Sequence, residues 1–362
     1  MRTIVRDRLK RLRERLAERR LRAMLVTRTA DVGYLSGFMG DDSWLLVAES
    51  GATLITDSRF TVQAARECPW VARVIRRGSM VDAVGDVVRR KRVRRVGFDP
   101  TSMTVAGRSD LARALGKARL VAVRDVVSTL RMRKDALEVR AIRKAIRVAE
   151  EAWAGFRRAV RLGMTERRLA AELDHRLRLA GADAPAFDTI LAIDASGAMP
   201  HARPGDRRLH RGSVVVVDFG ARVGGYVCDL TRVLFAGRIR PHARRAYETV
   251  LEAQSAGIAA VRPGALLKDV DAAVRRVITA AGWGRHFQHA TGHGLGREVH
   301  EAPGLSARAG KQRLEEGMVV TIEPGVYFEG RFGIRIEDDV LVTRTGRRVL
   351  TGVEKDIGAM VV

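Results

Sequence analysis

The stretch Ser213–Phe235, SVVVVDFGARVGGYVCDLTRVLF, decides the fold class of the larger part of this chain. It is rich in β-branched residues and broken once by a glycine-containing turn, which predicts a hairpin. A two-residue loop at Val223–Gly224 sets Asp218 opposite Asp229 on one face of the ladder. The stretch Met318–Val342 repeats the arrangement: a three-residue loop, Glu329–Gly330–Arg331, sets Glu323 opposite Glu337. Like charges directly opposed destabilise a ladder. Two hairpins of this kind require a counter-charge, most simply bound divalent metal.

Outward from the hairpins, helical periodicity predicts helices over 242–261 and 266–281, separated by Pro263-Gly264, and a strand over 186–193. Before them, a long amphipathic helix carries Ile142, Ala145, Ile146, Ala149, Trp153, Phe156 and Val160 on one stripe. It ends near Gly163, and Thr165 caps a second helix with Glu166 in its first turn. Antiparallel strands clustered with helices indicate an α+β domain. Each half pairs two helices with a carboxylate-bearing hairpin, an echo of internal duplication. The N-terminal third instead alternates short apolar runs (AMLVT, SWLLVA, TLITD, VARVI) with helical patterns, as an α/β domain does. With Val126–Lys134 as the boundary, the expected domains are 1–128 and 135–362.

A chain of 362 residues exceeds the usual size of one core, which agrees with two domains. The net charge is +24, and of the 66 basic residues only eight are lysine. A genome-wide arginine bias accounts for this more simply than nucleic-acid binding does. The runs at Arg6–Arg22 and Arg89–Arg95 contain no interleaved aromatics and match no nucleic-acid module, so they read as solvated basic faces. Cys68 and Cys228 cannot build a disulfide framework, and Cys228 reads as a small core residue. There is no apolar run of signal-peptide length and none near the ~20 residues of a membrane span, so the cytoplasm is the expected location.

Asp218, Asp229, Glu323 and Glu337, joined by the imidazole of His293, make a carboxylate-rich donor set suited to hard or borderline divalent ions. Four carboxylates are too many for one catalytic zinc and natural for two adjacent ions, roughly 3.5–4 Å apart, of the kind that activate a water for hydrolysis. HExxH, GxSxG and GxGxxG do not occur.

The same residues lie in motifs that resemble the pita-bread metallopeptidases: VDFGA (Asp218), CDLTR (Asp229), HATGHGLG (His293), TIEPG (Glu323) and IRIED (Glu337), in that order. PHARPG at Pro200–Gly205 and VHEAPG at Val299–Gly304 are similar to the Xaa-Pro dipeptidase (prolidase) and Xaa-Pro aminopeptidase branch. The resemblance implies a creatinase-like α/β N-terminal domain before an α+β pita-bread catalytic domain. It implies two divalent ions, Mn²⁺ or Co²⁺ with Zn²⁺ as the alternative, a homodimer, and small proline-containing peptides as substrates. By the same resemblance, Asp229 and Glu337 bridge both ions, Asp218 ligates one, and His293 and Glu323 ligate the other. Glu323 also shuttles a proton, His201 and His300 line the site and stabilise the tetrahedral intermediate or bind the substrate carbonyl and carboxylate, His289 lines the pocket, and Arg335 orients ligands. The resemblance also implies that the loop Ser36–Ser43, SGFMGDDS, closes the pocket of a partner subunit, where Asp41 and Asp42 either contact a substrate amine or simply form a turn. His286 has no motif, and Asp338 and Asp339 read as surface or strand-end residues. Two other readings are a non-catalytic binding protein that uses its basic surface and a metal-independent creatinase-like amidinohydrolase. The complete metal set argues against both. Dipeptidase and aminopeptidase are not separated by the sequence.

Overall fold

The computed structural model describes residues 2–362, which divide into two compact units, one ending at Arg131 and the other spanning Met132–Val362.

The first unit opens with α1 (Arg2–Glu18) and holds a mixed six-stranded sheet. Its strands are β1 (Ala23–Val26), β2 (Trp44–Ala48), β3 (Gly51–Thr56), β4 (Ala72–Ile75), β5 (Arg95–Phe98) and β6 (Arg119–Ala122), in the order β4-β3-β2-β1-β5-β6. β1, β2 and β3 form an antiparallel meander, and the outer strands join in parallel. The helices are α2 (Thr29–Ser36), α3 (Thr61–Glu67), α4 (Met80–Arg90), α5 (Val105–Leu115) and α6 (Val126–Met132), the last lying in the expected boundary segment. Apolar clusters cover both faces of the sheet, which explains the nearly continuous apolar runs of its strands. Two arginines of the basic first helix are structural: Arg8 lies over the Tyr34 ring at 4.2 Å, and Arg13 donates to the Ala48 carbonyl.

In the second unit the helices fall close to their expected places: α7 (Ala136–Ala159), α8 (Glu166–Leu179), α9 (Pro241–Ala260) and α10 (Leu267–Ala280). A capping box of Asp135 and Glu138 starts α7, and the Thr165 hydroxyl caps α8. The expected strand at 186–193 is two short pieces, β7 (Ala184–Pro185) and β8 (Ile190–Ile193). The first hairpin comprises β9 (Val214–Phe219), β10 (Ala221–Val223), β11 (Tyr226–Val227) and β12 (Leu230–Phe235). Along β9, Val215, Val217 and Phe219 pack with α7 and α8, where Trp153 stacks on Phe219 at 5.5 Å, while Val214 packs with α9 and α10. Burial on both faces is why this run is unbroken by polar residues until Asp218.

The register of this hairpin differs from expectation. Its loop is Gly224–Gly225, both at positive φ (58° and 74°), as a two-residue turn of this kind requires. Asp218 therefore pairs with Thr231, and Asp229 is shifted by two residues along the strand. A shift of two keeps both carboxylates on one face, where a shift of one would not.

The second hairpin has the expected register. It runs through β15 (Val319–Ile322), β16 (Gly325–Phe328), β17 (Phe332–Arg335) and β18 (Asp338–Val342), with the Glu329–Arg331 loop at its tip. Ile322↔Asp338 and Gly325↔Arg335 flank a gap that holds Glu323 and Glu337. β13 (Gly292–Gly294) joins β14 (Glu301–Leu305) and β15, and β19 (Arg347–Val349) closes this sheet. The glycines of GHGLG are there for close backbone approach: a Cβ on Gly292 would sit 1.9 Å from the Thr321 carbonyl oxygen.

Candidate metal centre

Asp218, Asp229, His293, Glu323 and Glu337 line one cavity of about 540 Å³ in the second unit. His201, His289, His300 and Arg335 line it as well. One oxygen or nitrogen each of Asp229, His293 and Glu337 lies within 4.8 Å of the others. His293 Nε2 is 3.3 Å from Glu323 Oε1 and 3.6 Å from Asp229 Oδ2. His293 Nδ1 faces the Gly294 carbonyl at 3.1 Å, so the ring donates there and leaves Nε2 as its free donor atom.

The carboxylates are held from behind. Thr231 Oγ1 donates to Glu337 Oε2 at 2.6 Å, and Arg335 Nη2 donates to Asp218 Oδ2 at 2.6 Å. Asp229 Oδ1, Glu337 Oε1 and Asp218 Oδ1 are buried and accept no hydrogen bond. Buried acceptors without partners are rare because each carries a desolvation penalty. Three on neighbouring carboxylates fit a divalent cation, which takes oxygen donors without needing a hydrogen.

The electrostatics agree. Burial raises Asp229 and Glu337 well above the usual carboxylate range, and the neighbouring carboxylates reinforce the effect. Glu323 is pushed up to about 7, again mainly by burial and opposed by Arg335. Burial lowers His293 to about 4, with His300 adding to the effect, so its imidazole is neutral and able to ligate at neutral pH.

A hydrogen-bonded chain backs one wall. Arg335 Nη1 donates to the Tyr327 hydroxyl at 2.9 Å, and that hydroxyl meets His289 Nε2 at 2.8 Å. Burial and Arg335 lower His289 to about 4, which fits a neutral ring accepting from the tyrosine. His300 lies edge-on to His293, their ring centroids 4.3 Å apart. The strand after His300 is pinned by a buried ion pair, Lys134 Nζ to Glu301 Oε1 at 2.9 Å. Buried Glu166 accepts from the backbone N–H groups of Ile193 and Gly205, which fixes the end of PHARPG.

Asp41 and Asp42 belong to the first unit. Asp42 Oδ2 is held by Arg59 and Arg76, while Asp41 is exposed and has no partner. His286 lies outside the lining, against Phe328 and the Tyr327 carbonyl. Asp338 and Asp339 stand at the start of β18, as strand-end residues, but they are not on the surface: both are 0% exposed. Asp338 receives Arg232, Gln254, Thr351 and Lys355, and Asp339 Oδ2 accepts from the Asp229 N–H at 3.2 Å. Their partners come from elements far apart in sequence. Thr231 and Tyr327 were missed for the same reason, since no local pattern marks either.

Fold and site together define a two-domain metal-dependent hydrolase. Residues 140–344 match metallopeptidase family M24, and residues 8–133 match the creatinase/prolidase N-terminal domain. The chain belongs to metallopeptidase family M24, and membership implies divalent metal ions. It is 30% identical over 356 residues to an Xaa-Pro dipeptidase of Pyrococcus horikoshii, covering 98% of this chain and 99% of that one. A solved Xaa-Pro dipeptidase from Bacillus anthracis superposes with a TM-score of 0.94 at 32% identity, over 99% of this chain and 100% of that one. An X-Pro aminopeptidase from Thermotoga maritima gives a TM-score of 0.89 at 36% identity, over 96% and 99%.

Proposed function

We propose that this chain hydrolyses the Xaa-Pro bond of dipeptides or short peptides, using two divalent cations held by Asp218, Asp229, His293, Glu323 and Glu337. The observation that carries the reading is the set of three partnerless buried oxygens on Asp218, Asp229 and Glu337 in a cavity shared with His293 and Glu323. Relatives named as Xaa-Pro dipeptidases and an X-Pro aminopeptidase supply the substrate class. Imidazole among carboxylates favours Mn²⁺ or Co²⁺ over Mg²⁺, with Zn²⁺ as the alternative. Bound cations supply Lewis acidity and a water acidic enough to attack at neutral pH.

In this reading Asp218, Asp229, His293, Glu323 and Glu337 would together supply the donors that hold the cations. Glu323 takes the proton of the attacking water and gives it to the departing proline nitrogen. That nitrogen belongs to a tertiary amide with no N–H, so protonation must accompany its release. His201 and His300 steady the carbonyl oxygen as charge develops on it. His289, tied to Arg335 through Tyr327, shapes the pocket wall. We further place the protein in the cytoplasm, where its two buried free thiols are stable, and read it as a homodimer. In the homodimer reading the loop that carries Asp41 and Asp42 acts on a partner subunit, and Asp41 is the one of the pair not held by Arg59 and Arg76. The basic surface is read as solvated, so duplex DNA should bind weakly and release as salt rises.

The test is hydrolysis of an Xaa-Pro dipeptide by protein stripped with a chelator and then reloaded with Mn²⁺, Co²⁺ or Mg²⁺. Loss on stripping and recovery with Mn²⁺ or Co²⁺ is expected. Full activity in verified metal-free protein would end this reading.

A further inference from the structure

We infer that Arg203 reads the free carboxylate of a substrate that ends one residue beyond the cut bond, which makes this cavity a dipeptide site; the inference rests on the peptidase reading above. Among the described residues, only two permanent cations line the cavity, Arg203 and Arg335. Arg335 is 3% exposed and already engaged: Nε donates to Thr231, Nη1 to Tyr327 and the Pro200 carbonyl, and Nη2 to Asp218. Four of its five N–H groups are thereby used, so it cannot offer a substrate carboxylate a paired fork. Arg203 is exposed and makes no hydrogen bond or ion pair with any of the described residues. The other unpartnered charge of the lining, Asp188, has the wrong sign for a carboxylate.

The local chain aims this arginine. His201, Ala202 and Arg203 are irregular backbone before Pro204, and a residue preceding proline is biased to extended geometry. The Ala202 N–H donates to the Met199 carbonyl at 3.1 Å, which places His201 in a turn, and Ala202 is 4% exposed while His201 and Arg203 on either side are open. Both of these open residues line the cavity, one on either side of the buried Ala202. In the proposed reaction His201 meets the scissile carbonyl. The next group of a dipeptide beyond that carbonyl is its terminal carboxylate, one residue away. A guanidinium two residues beyond His201 in the lining of the same cavity stands within reach of that group, and its planar fork matches a carboxylate. The hydrogen bond of Gly205 N to buried Glu166, 2.7 Å long, fixes the segment's far end and limits how far the arginine can wander.

The experiment compares L-alanyl-L-proline with its C-terminal amide as substrates for Mn²⁺-loaded wild type, Arg203→Ala and Arg203→Lys. Losing a charge-assisted contact should lower the acid-over-amide ratio of kcat/KM about tenfold in Arg203→Ala, and the change should lie in KM rather than kcat. Arg203→Lys should recover part of the ratio, since it keeps the charge without the fork. A ratio that stays at the wild-type value in Arg203→Ala, or a loss confined to kcat, would overturn the inference while leaving the peptidase reading in place. Wild type that cleaves neither substrate would overturn both.

Discussion

Arg335 Nη2 donates to Oδ2 of Asp218 at 2.6 Å, while Oδ1 of the same buried carboxylate accepts nothing. One oxygen is fixed by the protein and the other is left for something the protein does not supply. Arg335 does this while also holding Thr231, Tyr327 and the Pro200 carbonyl, so a single guanidinium ties both hairpins to the PHARPG segment. An ammonium cannot cover these partners from one point. Arg335→Lys should therefore lower kcat/KM by roughly 10–100-fold and weaken metal retention, as loss of a ligand-orienting partner does. Metal content by elemental analysis, measured beside the kinetics, checks this. Normal values for both would remove Arg335 from its orienting role.

Metal-free protein should lose stability as pH rises above about 6.5. Burial raises Glu323 to about 7 and also raises Asp229 and Glu337 well above the usual carboxylate range, so the folded state keeps protons that the unfolded chain has released. More protons on the folded state means stability falls with pH. His289 and His293, lowered to about 4 by burial, act in the opposite direction, but only below their ordinary value of 6.5. Above that value they are neutral in both states and the carboxylates alone set the slope. Bound cations take the place of those protons. The difference in Tm between Mn²⁺-loaded and chelated protein should thus widen from pH 6.5 to pH 8. A difference that narrows over that range would contradict the assignment.

How much of this was legible depended on whether partners were local. Glu323 facing Glu337 followed from one loop length, because Glu329–Gly330–Arg331 fixes the ladder on both sides of the gap. Asp218 and Asp229 came out on the correct face but in the wrong register, because either neighbour of Gly224 could complete the turn and only the backbone shows Gly225 at positive φ. Asp338 and Asp339 stand at a strand end as expected, but their burial has no local sign, because an acidic run looks solvated until its distant partners are known. The Tyr327 hydroxyl gained its place from His289, 38 residues away in the chain. Side chains whose roles are set by tertiary neighbours leave no periodic trace.

Asp338 gives the clearest stability test. Its carboxylate neutralises Arg232, itself 0% exposed, with Nη2 at 2.7 Å from Oδ1, and Lys355 sits on the other oxygen. Asp338→Ala strands a buried guanidinium. Removing one partner of a buried pair costs about 3–5 kcal/mol, because the remaining charge is uncompensated. Chemical denaturation of the metal-loaded protein should show that loss, and a change below about 1 kcal/mol, the range of exposed pairs, would mean that solvent reaches Arg232.

His300 separates catalysis from metal binding. It lines the cavity and touches His293 ring to ring, yet it makes no hydrogen bond with the protein and is exposed. A histidine held that loosely contributes little to the fold, and its free nitrogen is available to a substrate. If it steadies the developing oxyanion, His300→Ala should keep its full metal content and its thermal stability. Its kcat should fall by roughly 10²-fold or more, the size of effect seen when one oxyanion-stabilising donor is deleted. Because the interaction strengthens only as charge develops, KM should change far less than kcat. Elemental analysis, thermal unfolding and steady-state kinetics on the same preparation distinguish the outcomes. A variant with normal turnover would show that His300 takes no part in the reaction, and one that has lost metal would make it a support for His293 instead.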